Sequence, residues 1–408
     1  MKILLLSQWF QPEPFFKGLP LAKALVARGH EVEVLTGFPN YPGGEIYPGY
    51  RVRRWQREEM EGIRVLRVPL YPSHDNSSLR RTANYLSFAL SSMAGAMFGV
   101  GRPDVIWAYN LVTLAPSMRW LKYRYGCPAV LDVQDLWPES VTASGMLTAR
   151  PWVYLTELIS NWGYRSMDKV LAQAPGMRDN LIRRGLREDQ VQVLYNWTEE
   201  TAAPAADSDP DLAQRLGLAD TFNVLFAGTM GQVQRLDVAL EAAKKLMAIA
   251  PRARFIFVGG GVAVDGLKQT AQTLGLNNVV FLPRRPRAEM GRIMAMAHAG
   301  LVHLQDEPLF RITIPSKTQA YFHEGLPVLM AVAGDARALV ESAQAGLGCS
   351  PGDPEALART VVAMMSLPAA ELKQMGERGR EFYRREMSFD AGVSRLEACL
   401  RQACGVAG

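Results

Sequence analysis

The chain has 408 residues, 48% hydrophobic and 21% charged, with no low-complexity tract and no internal repeat. That length exceeds one ordinary core and predicts two domains of roughly 200 residues each. A net charge of +5 and a pI of about 9.0 suit phosphorylated substrates or anionic lipid; no segment has the aromatic motifs or zinc-finger spacing of a nucleic-acid reader, so no nucleic-acid partner is expected.

The first apolar run, Ile3–Leu6, ends in Ser7, Gln8 and a Pro-rich turn. It reads as a buried first strand and not as a secretory leader. Further strands are predicted at Glu31–Thr36, Arg64–Val68, Val105–Tyr109, Ala129–Val133, Lys169–Ala172 and near Gln192–Leu194. A helix over Pro20–Arg28 ends at Gly29. The stretch Arg51–Arg81 is rich in arginine, and the uncharged segment Tyr85–Phe98 follows it closely. About 14 residues are too few to cross a bilayer, which needs roughly 20. The segment is either a helix buried on the sheet or one lying in a membrane surface, with Arg80 and Arg81 near the head groups. The polar, Pro-containing stretch Glu199–Leu212 reads as an interdomain connection. Beyond it, strands are predicted at Phe222–Ala227, Ala253–Val258, Val279–Leu282, Ala299–Leu304 and Pro327–Met330, with a last helix at Asp390–Ala403. Strands alternating with helices throughout imply parallel sheets covered by helices on both faces. Cys127, Cys349, Cys399 and Cys404 fit neither a zinc site nor a redox pair, and read as reduced thiols of a cytosolic protein.

Four stretches carry chemistry. In Phe222–Asp237 a strand runs into Gly228, Thr229 and Gly231 and then a helix, the arrangement that lets a backbone approach a phosphate; Gln234 and Arg235 are within reach of the same anion. Val258–Gly261 is a second Gly-rich turn, but it lacks the GxGxxG spacing and the following acid of a nicotinamide site, so no cofactor is expected. In Phe310–Val328, Pro315 and Ser316 open a helix, placing the N–H groups of Lys317 and Thr318 at its positive end and adding the Lys317 charge. In Leu131–Ser140, Asp135 and Glu139 follow a strand end, where either can bind a hydroxyl or move its proton; Glu139 serves equally as a helix cap. The turn Ser7–Gly18 and the loop Asn40–Gly44 add aromatic and polar groups suited to sugar rings or to loop anchoring.

Pro12-Glu13-Pro14, Gly29–Val32, Thr36–Pro42, Asp135–Glu139, Asn196-Trp197, Gly228–Gly231 and Ile314–Tyr321 occur in this order. Together they resemble family 4 glycosyltransferases of the GT-B fold over nearly the whole chain, and most nearly the WbuB-type branch of bacterial surface-polysaccharide assembly. The resemblance implies two Rossmann-like, doubly wound parallel-sheet domains facing a central cleft. It places the acceptor on residues 1–200, the donor nucleotide on 201–385, and a helix crossing back at 386–408. It implies a donor set of Gly228, Thr229, Gln234, Arg235, Arg285, Arg311, Ser316, Lys317, Thr318 and Gln319. The acceptor set is Glu13, Lys17, Gly18, Asn40 and Tyr41, with Asp135, Glu139 and Lys317 as catalytic residues. Two glutamates that many relatives carry around the 316 helix fall here on Ile312 and Ala320, and the usual Arg and Lys of the phosphate loop fall on Thr229 and Gln234. Ribose and phosphate contacts are therefore redistributed, with Gln319, Lys317, Arg311 and Arg235 as candidates.

The expected reaction is metal-independent, retaining transfer from a nucleoside-diphosphate sugar, a UDP-sugar foremost. The expected acceptor is a polyprenyl-diphosphate-linked saccharide at the cytoplasmic face of the inner membrane, where the chain would be peripheral. No Asp-x-Asp triplet stands at a strand end and the five histidines are scattered, so no metal site is expected. A sugar-nucleotide epimerase and a catalytically silent nucleotide-sugar-binding subunit are the alternatives.

Overall fold

Strands whose side chains are apolar throughout have both faces to bury, and such strands form the centres of two sheets. In this computed structural model the described residues are all but 74–76, 111, 144–146, 148, 201–209 and 407–408, so most of the expected interdomain connection lies outside them. The fold divides into two compact units, Met1–Tyr195 with Gly392–Gly408, and Asn196–Ala391.

The first unit holds β1 (Lys2–Leu6), α1 (Leu19–Ala27), β2 (Glu31–Gly37), β3 (Gln56–Met60), β4 (Ile63–Val68), α2 (Ser78–Phe98), β5 (Val105–Tyr109), α3 (Ala115–Tyr125), β6 (Ala129–Val133), α4 (Glu139–Ala143), α5 (Arg150–Arg165), β7 (Lys169–Ala172), α6 (Pro175–Arg183) and β8 (Val191–Val193). Its sheet order is β3-β4-β2-β1-β5-β6-β7-β8. All neighbours are parallel except β3 and β4, so the expected all-parallel sheet is corrected at this edge. The hairpin between them turns on Glu61 and Gly62, both with positive φ (49° and 82°), the twist a two-residue turn demands.

The second unit holds α7 (Pro210–Arg215), β9 (Phe222–Thr229), α8 (Leu236–Ile249), β10 (Ala253–Gly260), α9 (Val264–Thr273), β11 (Val279–Leu282), α10 (Arg287–Met294), β12 (Ala299–His303), α11 (Pro308–Arg311), α12 (Ser316–Glu324), β13 (Val328–Ala331), α13 (Asp335–Ser342), β14 (Gly346–Gly348), α14 (Pro354–Met365) and α15 (Ala369–Phe382). Its parallel order is β11-β10-β9-β12-β13-β14, the doubly wound arrangement in which chain direction reverses between β9 and β12. In the first unit the reversal falls between β1 and β5. Ligands of such sheets bind outside the carboxyl ends of the strands at the reversal. Each unit is therefore built on a doubly wound α/β sheet.

The last helix, α16 (Phe389–Ala403), starts in the second unit and from Gly392 belongs to the first. There Glu397 meets Arg28 at 3.1 Å, His30 at 3.0 Å and Arg401 at 2.8 Å. Burial alone would raise the Glu397 pKa, but the hydrogen bonds from Arg401, His30 and Arg28 together hold it at about 2. Arg28 and His30 flank Gly29, whose φ of 84° ends α1, so one tight turn both stops a helix and presents two partners to another.

The Arg51–Arg81 stretch is not one basic surface. Arg67 is fully buried, bonding Glu58 at 2.6 Å and the Gly37 carbonyl at 3.0 Å, and its guanidinium lies 4.9 Å from the Tyr50 ring. Arg64 pairs with Glu31. The Tyr85–Phe98 segment belongs to the longer α2, which buries Asn84, Phe88, Ser92 and Ala96 and exposes Leu86, Leu90 and Met97 on its other face.

Candidate functional site

In the second unit, β9 and β12 pair only at Val224–Ala299 and Leu225–Gly300, and then diverge. The Ala227 N–H is left without a strand partner on that side. The buried Tyr321 hydroxyl accepts it at 3.0 Å and donates to the Leu225 carbonyl at 3.2 Å. Gly300 makes room for the Tyr321 ring, since a Cβ there would lie 2.4 Å from it. Tyr321 thus pins α12 into the gap between the diverging strands, and the start of α12 falls at the strand reversal.

That placement brings Lys317 over the end of β9. Its Nζ lies 4.5 Å from the Phe226 ring centroid, and a Cβ on Gly228 would come within 3.1 Å of Lys317 Cε. Gly228 itself has φ of 132°, a conformation that side chains rarely adopt. Burial lowers the Lys317 pKa to about 8, and among the described residues no carboxylate pairs with it. The second Gly-rich turn packs beside the first: a Cβ on Gly259 would lie 2.0 Å from the Gly228 carbonyl, and one on Gly261 2.3 Å from that of Met230. Gly228, Thr229 and Gly261 are solvent-exposed, so the two turns form an open floor of bare backbone beneath a cation.

The rest of the expected donor set is arranged unevenly around this floor. Gln234 turns its side chain back to accept the Gly231 N–H at 2.8 Å. Arg235 forms a two-pronged pair with Asp237 (2.8 and 3.0 Å), Arg311 one with Asp306 (2.7 Å), and Arg285 lies 3.5 Å from Glu289. Each of these arginines carries its own carboxylate, which leaves Lys317 as the cation without one among the described members of the set. Ser316 is exposed, whereas Thr318 and Gln319 are buried. Thr318 donates its N–H to the Pro315 carbonyl at 2.9 Å, so of the two N–H groups expected at this helix start, that one is already engaged. The Gln319 amide serves the carbonyls of Pro315 and Ser316.

One member of this site escaped the sequence reading. His303, at the end of β12 and 1% exposed, bonds the Gln234 carbonyl at 2.8 Å through Nδ1. Desolvation lowers its pKa to about 4, so the imidazole is neutral and ties β12 to the turn after β9. A lone histidine at a strand end gave no spacing signal; Tyr321 lay inside a quoted motif with its role hidden.

In the first unit, Glu13 is buried and accepts N–H groups from Phe10 (3.1 Å), Asn40 (2.8 Å) and Tyr41 (2.8 Å). Glu13, Asn40 and Tyr41 are thereby brought together, with Glu13 as the organiser of two loops. Burial raises its pKa against the effect of these three bonds. Lys17, also fully buried, donates to Asp132 at 2.6 Å, and Gly18 packs against Gln11, whose oxygen a Cβ would meet at 2.1 Å. Asp135 is solvent-accessible yet surrounded by protein; desolvation raises its pKa, offset in part by a hydrogen bond with Asn110. Its charge reaches Tyr85 and Tyr109, whose own pKa values burial raises. Tyr85 stands edge-on to Trp9 (6.5 Å) and Trp137 (6.2 Å), and Trp9 lies 5.5 Å from Tyr41. Asp135 therefore stands among aromatic rings contributed by α2, the end of β5 and the loops after β1, β2 and β6. Glu139 stands apart, paired with Arg184, which also holds the Trp137 carbonyl at 2.7 Å.

Residues 19–197 match the family described as Glycosyl transferase 4-like domain, and residues 209–382 match Glycosyl transferases group 1. The chain is 30% identical over 347 residues to WcaI of Escherichia coli strain K12, a protein named for glycosyl transfer in colanic acid biosynthesis, covering 82% of each chain. It is 28% identical over 412 residues to D-inositol 3-phosphate glycosyltransferase of Thermobifida fusca, covering 94% of this chain and 87% of that one. Among solved structures, Anabaena Alr3699/HepE in complex with UDP superposes with a TM-score of 0.65 at 17% identity, over 98% of this chain and 100% of that one. An E. coli trehalose-6-phosphate protein bound with UDP-2-fluoro glucose gives 0.73 at 14% identity, over 98% and 99%. At those identities the structural likeness establishes the fold.

Proposed function

This chain belongs to family 4 of the glycosyltransferases, and from that premise we propose that it transfers a sugar from a UDP-sugar to a lipid-linked saccharide, with retention at the anomeric carbon and without a metal. The observation that carries the reading is the Lys317 ammonium poised without a carboxylate over the exposed glycine floor at the strand reversal. The UDP held by Alr3699/HepE, a protein of the same fold, supports a uridine donor.

The second unit holds the donor. Its diphosphate lies on the Gly228, Thr229 and Gly261 backbone, where no side chain bars its approach. As the bond from C1 to the β-phosphate oxygen breaks, its electron pair stays on that oxygen. Lys317 stabilises the charge that develops there, acting where burial has removed competing water. The acceptor oxygen forms the new bond to C1 from the same face, and its proton passes to the departing phosphate. The first unit holds the acceptor: aromatic rings around Asp135 stack on sugar, and its carboxylate accepts a hydrogen bond from the acceptor hydroxyl. Glu139, paired with Arg184, holds the chain after β6 and not the substrate. A lipid-linked acceptor requires the enzyme to work as a peripheral protein at the cytoplasmic face of the inner membrane, in assembly of a surface polysaccharide.

The test is incubation of the chain with UDP- and GDP-hexoses in EDTA, with and without a polyprenyl-diphosphate-linked saccharide, following UDP release and product configuration. Acceptor-dependent UDP release with retained configuration supports the reading. Binding without turnover identifies a silent subunit, an isomerised sugar nucleotide an epimerase, and rescue by magnesium or manganese alone overturns the metal-free mechanism.

A further inference from the structure

A helix on the surface of a water-soluble domain turns its apolar stripe inward. The helix α5 does the reverse. It buries Ser160, Gly163 and Tyr164, while Trp152, Leu155, Leu158, Ile159 and Trp162 are exposed, Trp152 by 61%. Two neighbours share this habit. Along α2, Leu79, Leu86, Leu90 and Met97 recur at helical spacing on the outer face, Leu90 72% exposed, and on α3 Tyr123 is 84% exposed. The three belong to one surface, because Met93 of α2, Trp120 and Tyr123 of α3 and Trp162 of α5 line a single groove. So much contiguous apolar area on one face marks an interaction site.

Charge and composition select the occupant. Together α2, α3 and α5 carry Arg80, Arg81, Arg119, Lys122, Arg124, Arg150 and Arg165 against a single acid, Glu157. In a symmetric pairing of two copies this face would meet itself, setting cations against cations. An anionic bilayer surface instead offers negative head groups to the rim and acyl chains to the apolar centre, and tryptophan and tyrosine are the side chains that favour that boundary. No described helix is long and apolar enough to cross a membrane, so the fit is to one leaflet.

We propose that the exposed face of α2, α3 and α5 docks the protein in an anionic phospholipid surface, with α5 as the helix that enters the head-group layer. The proposal rests on the membrane placement of the function proposed above and identifies the surface responsible. It keeps α2 with Arg80 and Arg81, drops the buried Arg67, and adds apolar insertion through α5, a helix that the sequence did not single out.

The experiment is flotation of the full chain with phosphatidylcholine vesicles, with and without phosphatidylglycerol, at low and high salt. The vesicles contain no saccharide acceptor, so the outcome is independent of the glycosyl-transfer reading, which fails separately if the chain floats but transfers no sugar. The wild type should float with anionic vesicles and keep a measurable part of that binding in high salt, since apolar insertion is not screened. The double variant Trp152→Glu, Ile159→Glu should lose about tenfold in vesicle affinity, with its melting temperature and its stabilisation by UDP unchanged. Arg119→Glu, Arg150→Glu should weaken anionic binding alone. Three results overturn the proposal: wild type that stays below at low salt, a Trp152→Glu, Ile159→Glu variant that floats like wild type, or a wild-type dimer in lipid-free solution that this variant dissociates.

Discussion

At the scale of single residues the account rests on one ammonium and one carboxylate. Burial holds the Lys317 pKa at about 8, below the ordinary 10.5 of a lysine. The protonated form is the one that attracts a diphosphate, so affinity is present below that value and is lost as pH rises through it. UDP should bind about tenfold more weakly at pH 9 than at pH 7, and Lys317→Arg, which stays charged, should flatten the dependence. A titration series that is flat for the wild type between those pH values removes Lys317 from the phosphate site. Asp135 is assigned to the acceptor. Asp135→Asn should therefore slow turnover by about 10² or more while leaving the UDP dissociation constant within about twofold. A matching loss of UDP affinity would move Asp135 out of that role. Neither assignment follows from residue type alone: four cations were legible as donor ligands, and the local carboxylates Asp237, Asp306 and Glu289 separate Arg235, Arg311 and Arg285 from Lys317. These pairs are two, four and five residues apart, each straddling the N-terminal end of a helix, so no single spacing announces them.

At the scale of elements, what the sequence made plain was the buried centre of each sheet. Val105–Tyr109, Ala129–Val133 and Lys169–Ala172 match their predicted limits, because a strand covered on both faces is an unbroken apolar run. The edge strand β3 was hidden: Gln-Arg-Glu-Glu-Met has no apolar alternation, and it is held by its antiparallel ladder to β4 and by Glu58 on the buried Arg67. The helix α5 was not among the predicted elements, and only the structure shows its apolar positions facing outward. The start of α12 was legible from Pro315 and Ser316, but not what fixes it in space. Tyr321 does that, by filling the hydrogen-bonding gap where β9 and β12 part. Tyr321→Phe leaves the half-buried Ala227 N–H without its partner and should cost about 1–3 kcal/mol. Thermal unfolding should show a melting temperature lower by a few degrees, and UDP affinity should fall with it as α12 loosens. An unchanged melting temperature would mean that the hydroxyl is replaceable and that packing alone places the helix.

At the scale of the whole molecule, two doubly wound sheets, of eight and six strands, carry different groups at their reversals: aromatic rings and a carboxylate in one, bare backbone and a cation in the other. Family membership and fold were readable because ordered motifs, each weak alone, recur over the chain from Glu13 to Tyr321. The donor contacts were less readable because Ile312 and Ala320 stand where the family resemblance leads one to look for glutamates, so that signature of the nucleotide site is missing. The central claim is that the donor diphosphate nevertheless binds beneath Lys317. Calorimetric titration of UDP into the full chain at pH 7, for the wild type and for Lys317→Ala, tests it most directly. Loss of one charge-assisted contact of about 1.5–3 kcal/mol should weaken UDP by roughly 10- to 150-fold, with circular dichroism and melting temperature unchanged. A folded Lys317→Ala variant that binds UDP as tightly as the wild type would contradict the account.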